Sequence, residues 1–419
     1  MRSLAFAVLS LYVSITFAQS NAAPEMSIFK NPLAMTVTQV LAGPEHEITS
    51  TDYVNLIPSR SKTPLLEKSG LLRFTYTLQT DVTAPLVFVI PGTGGNANSQ
   101  SAKFIAEQLF AMGYQTVIVD NPFSWNFVVA GSVSTLPGYP PQDAQDLYKA
   151  LQAVNARLAA THKINPKAYS LIGSSLGGLD TLFLNKLDRQ FHFEKILLIN
   201  PPLDMIYAVK QLDRLFAEGD QLTPARKGEV FNQTLDVAST LLNRVDSLRD
   251  RAFMQSAFDK LGFSDRDMSY LIGWNFRSSL RDIIFASQQI HDTGILKIPA
   301  TKYRRNARIE EAYGFSFTDY LKTFVFPNVL KGKSTVAAAS FTLEDMNHEA
   351  SIYQFAEEIR NNKNIYIIHS EDDFLLKQGD IQWMKSNFGS RATLFPYGGH
   401  CGSMNFSEFT EQLKVIFKK

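Results

Sequence analysis

One cysteine, Cys401, occurs in 419 residues. No intramolecular disulfide can form and no thiolate metal site can be assembled, so the fold must rest on its apolar core. Excess charge is also missing: 41 Lys and Arg against 40 Asp and Glu leave a net charge of +1. That balance gives no electrostatic reason to expect nucleic acid or an anionic membrane surface as a partner. Apart from Tyr303-Arg304-Arg305, a short solvated stretch, no basic run carries interleaved aromatics. The seven histidines never fall at metal-ligand spacing, and no metal or other cofactor is expected. Internal repeats, low-complexity tracts and the two common phosphate-binding glycine patterns are absent as well.

What is present begins at the N-terminus. Met1-Arg2-Ser3 precedes an apolar stretch from Leu4 to Phe17, then Ala18 and polar Gln19-Ser20-Asn21. One positive residue, a short apolar run and a small residue predict a secretory signal peptide over residues 1–18, cut after Ala18. The alternative is a retained anchor, but the stretch is short for a span and no basic stop-transfer cluster follows. The expectation is a protein exported to the periplasm or beyond, with no obligate membrane span after cleavage. Its oligomeric state is left open.

Hydrophobic content of 45% and charged content of 19% describe an ordinary globular chain able to bury a sizeable core. Residues 19–50 are polar and Pro-interrupted, and read as a surface-draped or loosely ordered lead-in. From residue 51 to 205 strands alternate with helices. Strands are predicted at Leu71–Leu78, Leu86–Ile90, Thr116–Val119, Tyr169–Ile172 and Lys195–Ile199. The uninterrupted apolar run of Leu86–Ile90 suits a strand covered on both faces, as in a parallel sheet. Residues 206–360 change character: apolar residues recur at helical intervals with no secure strand, which predicts a mainly helical insertion. The first rhythm resumes over 361–419, with strands at Ile365–Ile368 and Arg391–Phe395 and a final helix striped by Phe409, Leu413 and Ile416. The whole predicts an α/β fold with a mostly parallel, doubly wound sheet.

The chemistry-bearing stretch is Tyr169 to Gly178. A short apolar strand breaks into Gly173-Ser174-Ser175-Leu176-Gly177 and then into a helix. Ser175 is thereby the centre of a G-x-S-x-G pattern in a strand–turn–helix context, with glycines where the helix packs back across the strand. A serine hydroxyl needs a base, and the base an orienting group. Strand Ile365–Ile368 runs into His369-Ser370-Glu371-Asp372-Asp373, and the strand over Thr393–Phe395 runs into Gly398-Gly399-His400-Cys401-Gly402. Both loops fall at the carboxyl edge of a parallel sheet, where ligands bind.

The order serine, acid, histidine resembles that of the α/β-hydrolases, over roughly residues 70–205 and 361–419. The insertion falls where many members carry a cap over the site. The resemblance implies Ser175 as nucleophile, His400 as base and Asp373 as the acid, with Asp372 and then Glu371 as alternatives. It also implies backbone oxyanion donors at Thr93 and Leu176. Pro91 stands where members usually have histidine, so the donor in Pro91-Gly92-Thr93-Gly94-Gly95 is less certain than that at Leu176. His369 reads as a structural or supporting residue, His291 and His348 as surface residues, and Cys401 as a small packer. Trp125 and Phe127 fit a pocket wall or the core equally.

The implied activity is that of a serine esterase or lipase-like hydrolase, an enzyme working through an acyl-enzyme on a small-molecule or lipid-like ester. Peptidase, thioesterase and acyltransferase chemistry use the same residues, and a non-catalytic binding protein of the same fold is the alternative from another class.

Overall fold

The computed structural model describes residues 30–39, 43–60, 70–242, 255–256, 258–405 and 407–418. The expected signal peptide lies outside the described residues. Eight strands make one sheet: β1 (Ser50–Val54), β2 (Leu72–Thr77), β3 (Leu86–Ile90), β4 (Gln115–Val119), β5 (Tyr169–Ser174), β6 (Lys195–Ile199), β7 (Ile365–Ser370) and β8 (Ala392–Phe395). Their order in space is β1-β2-β4-β3-β5-β6-β7-β8. β2 runs antiparallel to both β1 and β4, and every other pairing is parallel.

Helices flank the sheet: α1 (Pro32–Thr38), α2 (Gln100–Ala111), α3 (Trp125–Ala130), α4 (Pro140–His162) and α5 (Leu176–Leu187). Between β6 and β7 come α6 (Met205–Asp220), α7 (Pro224–Leu242), α8 (Asp265–Ile290), α9 (Arg305–Tyr313), α10 (Phe317–Tyr320), α11 (Phe326–Lys331), α12 (Thr335–Ser340), α13 (Leu343–Ala350) and α14 (Ala356–Asn361). No strand interrupts them among the described residues. α15 (Asp380–Phe388) and α16 (Ser407–Phe417) complete the chain.

The central strands are apolar on both sides because helices cover both faces. Phe88, Ile90 and Leu171 join one core cluster, while their neighbours Val87, Val89 and Ile172 join the other. Each such side chain contributes about 1.5–3 kcal/mol on burial. Together they hold β3 and β5 rigid where the chemistry-bearing loops leave them.

Two features depart from the sequence expectations. β1 was not foreseen, because Ser50-Thr51-Asp52-Tyr53-Val54 is a mostly exposed edge strand without an apolar run. The lead-in was expected to be surface-draped or loosely ordered, and no helix was foreseen in it, yet it contains α1. Asn31 caps that helix, its side-chain oxygen accepting from Leu33 and Ala34, and Pro32 starts it. Ala34 and Met35 are buried against Met268 of α8. Polarity and proline concealed a short helix that buries Ala34 and Met35 and half-buries Leu33 and Val37.

Candidate active site

β5 ends in a turn that forces Ser175 to φ 52° and ψ −126°, a region L-residues rarely occupy. Such backbone strain costs about 1–3 kcal/mol. The turn survives because its neighbours are glycines. A Cβ on Gly173 would lie 2.1 Å from the Gly177 carbonyl oxygen, and one on Gly177 would lie 2.4 Å from that of Ile90. α5 therefore crosses β5 and β3 at contact distance. The Ser175 N–H donates to Ile199 on the neighbouring strand at 2.7 Å, which pins the corner.

The Ser175 hydroxyl lies 2.8 Å from His400 Nε2. His400 Nδ1 lies 2.8 Å from Asp373 Oδ2. All three are buried, and they come from the carboxyl ends of β5, β7 and β8. The acid brought into this chain is Asp373. Asp372 instead accepts the Gly399 N–H at 2.8 Å and so holds the loop that carries His400. Glu371 pairs with Lys385 at 2.9 Å, outside the chain of contacts.

Electrostatics favour a charge-separated pair. Burial alone would raise the Asp373 carboxyl, but the adjacent His400 imidazolium outweighs it and holds Asp373 at about 2. Burial likewise disfavours a charged His400, and the Asp373 carboxylate more than compensates, pushing the imidazole well above its ordinary 6.5. Asp373 is further held by the Leu375 N–H, donating at 2.9 Å, and by Asn200 Nδ2, donating at 3.0 Å.

Asn200 directly follows the strand predicted at Lys195–Ile199 and had no role in the sequence reading. It sits at φ 45°, and its amide also reaches the Gly399 carbonyl at 3.3 Å. The signal was its position at the carboxyl edge of β6, between the serine and acid loops. Thr36 was hidden in the lead-in: its hydroxyl accepts the His400 N–H at 2.8 Å and donates to Pro32 at 2.7 Å.

The Thr93 and Leu176 amides have no hydrogen-bond acceptor among the described residues, whereas Gly94 donates to Phe123 and Gly95 to Gly92. Leu176 opens α5, so its N–H carries the favourable end of the helix dipole. Gly92 admits no side chain: a Cβ there would sit 2.8 Å from that of Ser175. The loop Pro91–Gly95 is clamped by Asn121, whose side chain donates to the Pro91 carbonyl at 3.0 Å and whose N–H donates to that of Gly95 at 3.1 Å. The same amide group donates to Asp180 at 3.0 Å. Burial raises that carboxyl to about 8.

The remaining expected residues separate cleanly. His369 is fully buried, its ring nitrogens 3.0 and 3.1 Å from the Ser370 and Pro201 carbonyls, and burial keeps its imidazole below the ordinary value, so that it donates to one of the two. His291 and His348 are exposed. Phe127 belongs to the core, and Trp125 stacks on Phe285 with ring centroids 5.9 Å apart. Cys401 is buried beside His400, at φ 64°. Among the described residues no group of three His, Cys, Asp or Glu is placed to hold a metal ion, and no helix is long and apolar enough to cross a membrane.

Eight strands in this order, with a serine turn after β5, an acid after β7 and a histidine after β8, decide the architecture. The fold is that of the α/β-hydrolases. No protein-family model and no curated protein sequence matches this α/β-hydrolase-fold chain. Solved structures similar to it include a thioesterase domain from the curacin biosynthetic pathway. That likeness has 13% identity over 89% of this chain and 100% of that one, with a TM-score of 0.41. A proline iminopeptidase from Mycobacterium smegmatis matches at 13% identity over 88% and 98%, TM-score 0.39. Est1E from Butyrivibrio proteoclasticus matches at 12% over 87% and 96%, TM-score 0.38. At such values the fold rests on the chain's own topology.

Proposed function

We propose that this protein is an exported serine hydrolase that cleaves carboxylic esters through an acyl-enzyme on Ser175. The observation that carries the reading is the buried relay of two 2.8 Å contacts, Ser175 to His400 and His400 to Asp373. His400 Nε2 takes the hydroxyl proton as Ser175 Oγ attacks the ester carbonyl. Charge developing on the carbonyl oxygen meets the two unengaged amides of Thr93 and Leu176, which need no reorganisation to receive it. The tetrahedral adduct collapses as His400 returns the proton to the departing alcohol oxygen. A water molecule then attacks the acyl-enzyme by the same route, with His400 taking its proton and passing it to Ser175 Oγ as the acid leaves. Asp373 stays ionised and stabilises the imidazolium in both halves.

The test is labelling of the purified protein with a fluorophosphonate, which reacts with an activated serine. Wild type is expected to label, and Ser175→Ala and His400→Ala are not. A wild-type protein that fails to label overturns the reading. Export rests on the Met1–Ala18 pattern alone. N-terminal sequencing of the protein recovered outside the cytoplasm is expected to begin at Gln19; recovery in the cytoplasm with Met1 retained overturns it.

A further inference from the structure

Ser175 borders two cavities, one of mixed lining and one mainly apolar. The first is an open cleft to which Gln39, Ser99, Gln100, Asn275 and Ser279 contribute, together with Phe276 and Cys401. The other is a narrow, mainly apolar recess beneath the helical insertion, walled by Met205, Val209, Leu212, Phe317, Leu321 and Leu375. Tyr320 also lines the recess, but its hydroxyl donates to the Pro137 carbonyl at 2.7 Å and presents no free polar group. Ser175, Thr93 and Phe276 border both spaces, so Phe276 of α8 forms part of the partition between them.

His400 lines only the open cleft. This asymmetry orients the substrate. The departing alcohol oxygen must receive its proton from His400 Nε2, so it must lie on the cleft side of Ser175. The acyl carbonyl sits between Thr93 and Leu176, and the rest of the acid then extends into the recess, which Leu176 also lines. No lysine, arginine, aspartate or glutamate is among the described residues that line the cleft. The first turn of α2 contributes only about half a positive charge there. A phosphate or ammonium group would meet no charged side chain there other than His400, whose proton is committed to the reaction.

Resting on the hydrolase reading above, we infer that the substrates are esters joining an apolar acid of more than two carbons to an uncharged polyhydroxylated alcohol, such as a glycerol or sugar ester. Hydrolysis consumes one water, whose hydroxyl ends on the acid, and the alcohol leaves with the proton that His400 delivers. The recess selects the acid by excluding water around it, and the cleft selects the alcohol by hydrogen bonds from neutral side chains.

The experiment compares kcat/KM of the wild-type protein on four esters: 1-octanoylglycerol, 1-acetylglycerol, ethyl octanoate and 1-octanoyl-lysophosphatidylcholine. Octanoylglycerol is expected to exceed each of the others at least tenfold. An acetyl ester turned over as well as the octanoyl one overturns the acyl assignment. Ethyl octanoate or the lysophospholipid turned over as well as octanoylglycerol overturns the alcohol assignment. Leu212→Trp is expected to lower the octanoyl-to-acetyl ratio at least tenfold, and Val209→Phe, a smaller intrusion, carries the same comparison if the first variant does not fold. Fluorophosphonate labelling separates the two levels. An unlabelled wild type sinks the hydrolase reading, whereas a labelled wild type with reversed ratios sinks this inference alone.

Discussion

The sheet edge and the helical cap meet at Ser175 with different kinds of side chain. The edge presents buried ionisable groups, amides left without acceptors, and backbone at positive φ in Ser175, Asn200 and Cys401. The cap presents Met205, Val209, Leu212, Phe276, Phe317 and Leu321, none of them ionisable. Electrostatic stabilisation acts over short distances and demands fixed geometry, so it is built on strands clamped on both faces. Apolar enclosure tolerates repacking, so it is built on helices attached at the rim. One such attachment is Asp204, which caps α6 and pairs with Lys377 beyond β7 at 2.6 Å. Changes at the edge are therefore expected to alter rate for every ester, and changes in the cap to alter the ranking among esters.

The largest effect expected at the edge is that of Ser175→Ala, a fall in kcat of at least about 10⁴-fold, read with a p-nitrophenyl ester. A loss confined to long-chain esters would break the division between edge and cap. Next comes Asp373→Asn, expected to lower kcat about 10⁴-fold by favouring the wrong imidazole tautomer. It also makes a statement about pH. Catalysis needs neutral His400, whose pKa is raised above 6.5 by the Asp373 carboxylate, so wild-type activity should rise with pH along a limb centred above 6.5. Without the carboxylate the largest upward influence on the imidazole is gone, and the limb should move to lower pH. A pH–kcat/KM profile checks both, and an unmoved limb in Asp373→Asn would contradict the pairing.

Asn200→Ala is expected to be milder, roughly a tenfold fall in kcat from a displaced acid. Removing a donor leaves the Asp373 carboxylate freer to stabilise the imidazolium, so the acid limb should shift upward. A purely structural role would leave that limb in place. Smallest is Thr36→Val, which leaves the buried His400 N–H without its acceptor. About 1–3 kcal/mol of stability should be lost, measured by denaturant unfolding, with only a few-fold loss of rate.

How much of this was legible follows the same division. Ser175, His400 and the acidic loop Glu371–Asp373 could be singled out because each follows directly on an apolar strand, and strand exits at one edge of a parallel sheet converge. Thr93 and Leu176 were proposed as oxyanion donors from the family resemblance, and both amides lack an acceptor among the described residues. Asn200 and Asn121 could not be singled out, since a single amide side chain has no periodicity or spacing to mark it. Asp372 and Asp373 are neighbours in sequence and only the packing of the Gly398–Gly399 turn assigns one to the loop and the other to the imidazole. The helical character of the cap was clear from apolar intervals, but which of its faces would meet Ser175 depends on helix crossings that no interval reveals. α1 was missed because seven residues behind a proline look like a linker until Met35 is seen buried.

The contact between Thr36 and His400 joins residues 364 positions apart. In a chain made from its N-terminus, Thr36 must wait for His400 to be synthesised before this contact can form. Contacts of such long sequence separation form late, because the intervening loop must close first. A partly synthesised or partly folded molecule can thus carry Ser175 on its corner and still lack the imidazole that activates it. Docking of the Pro32–Thr38 helix against the His400 loop is accordingly expected to be a late step of folding that adds stability more than rate.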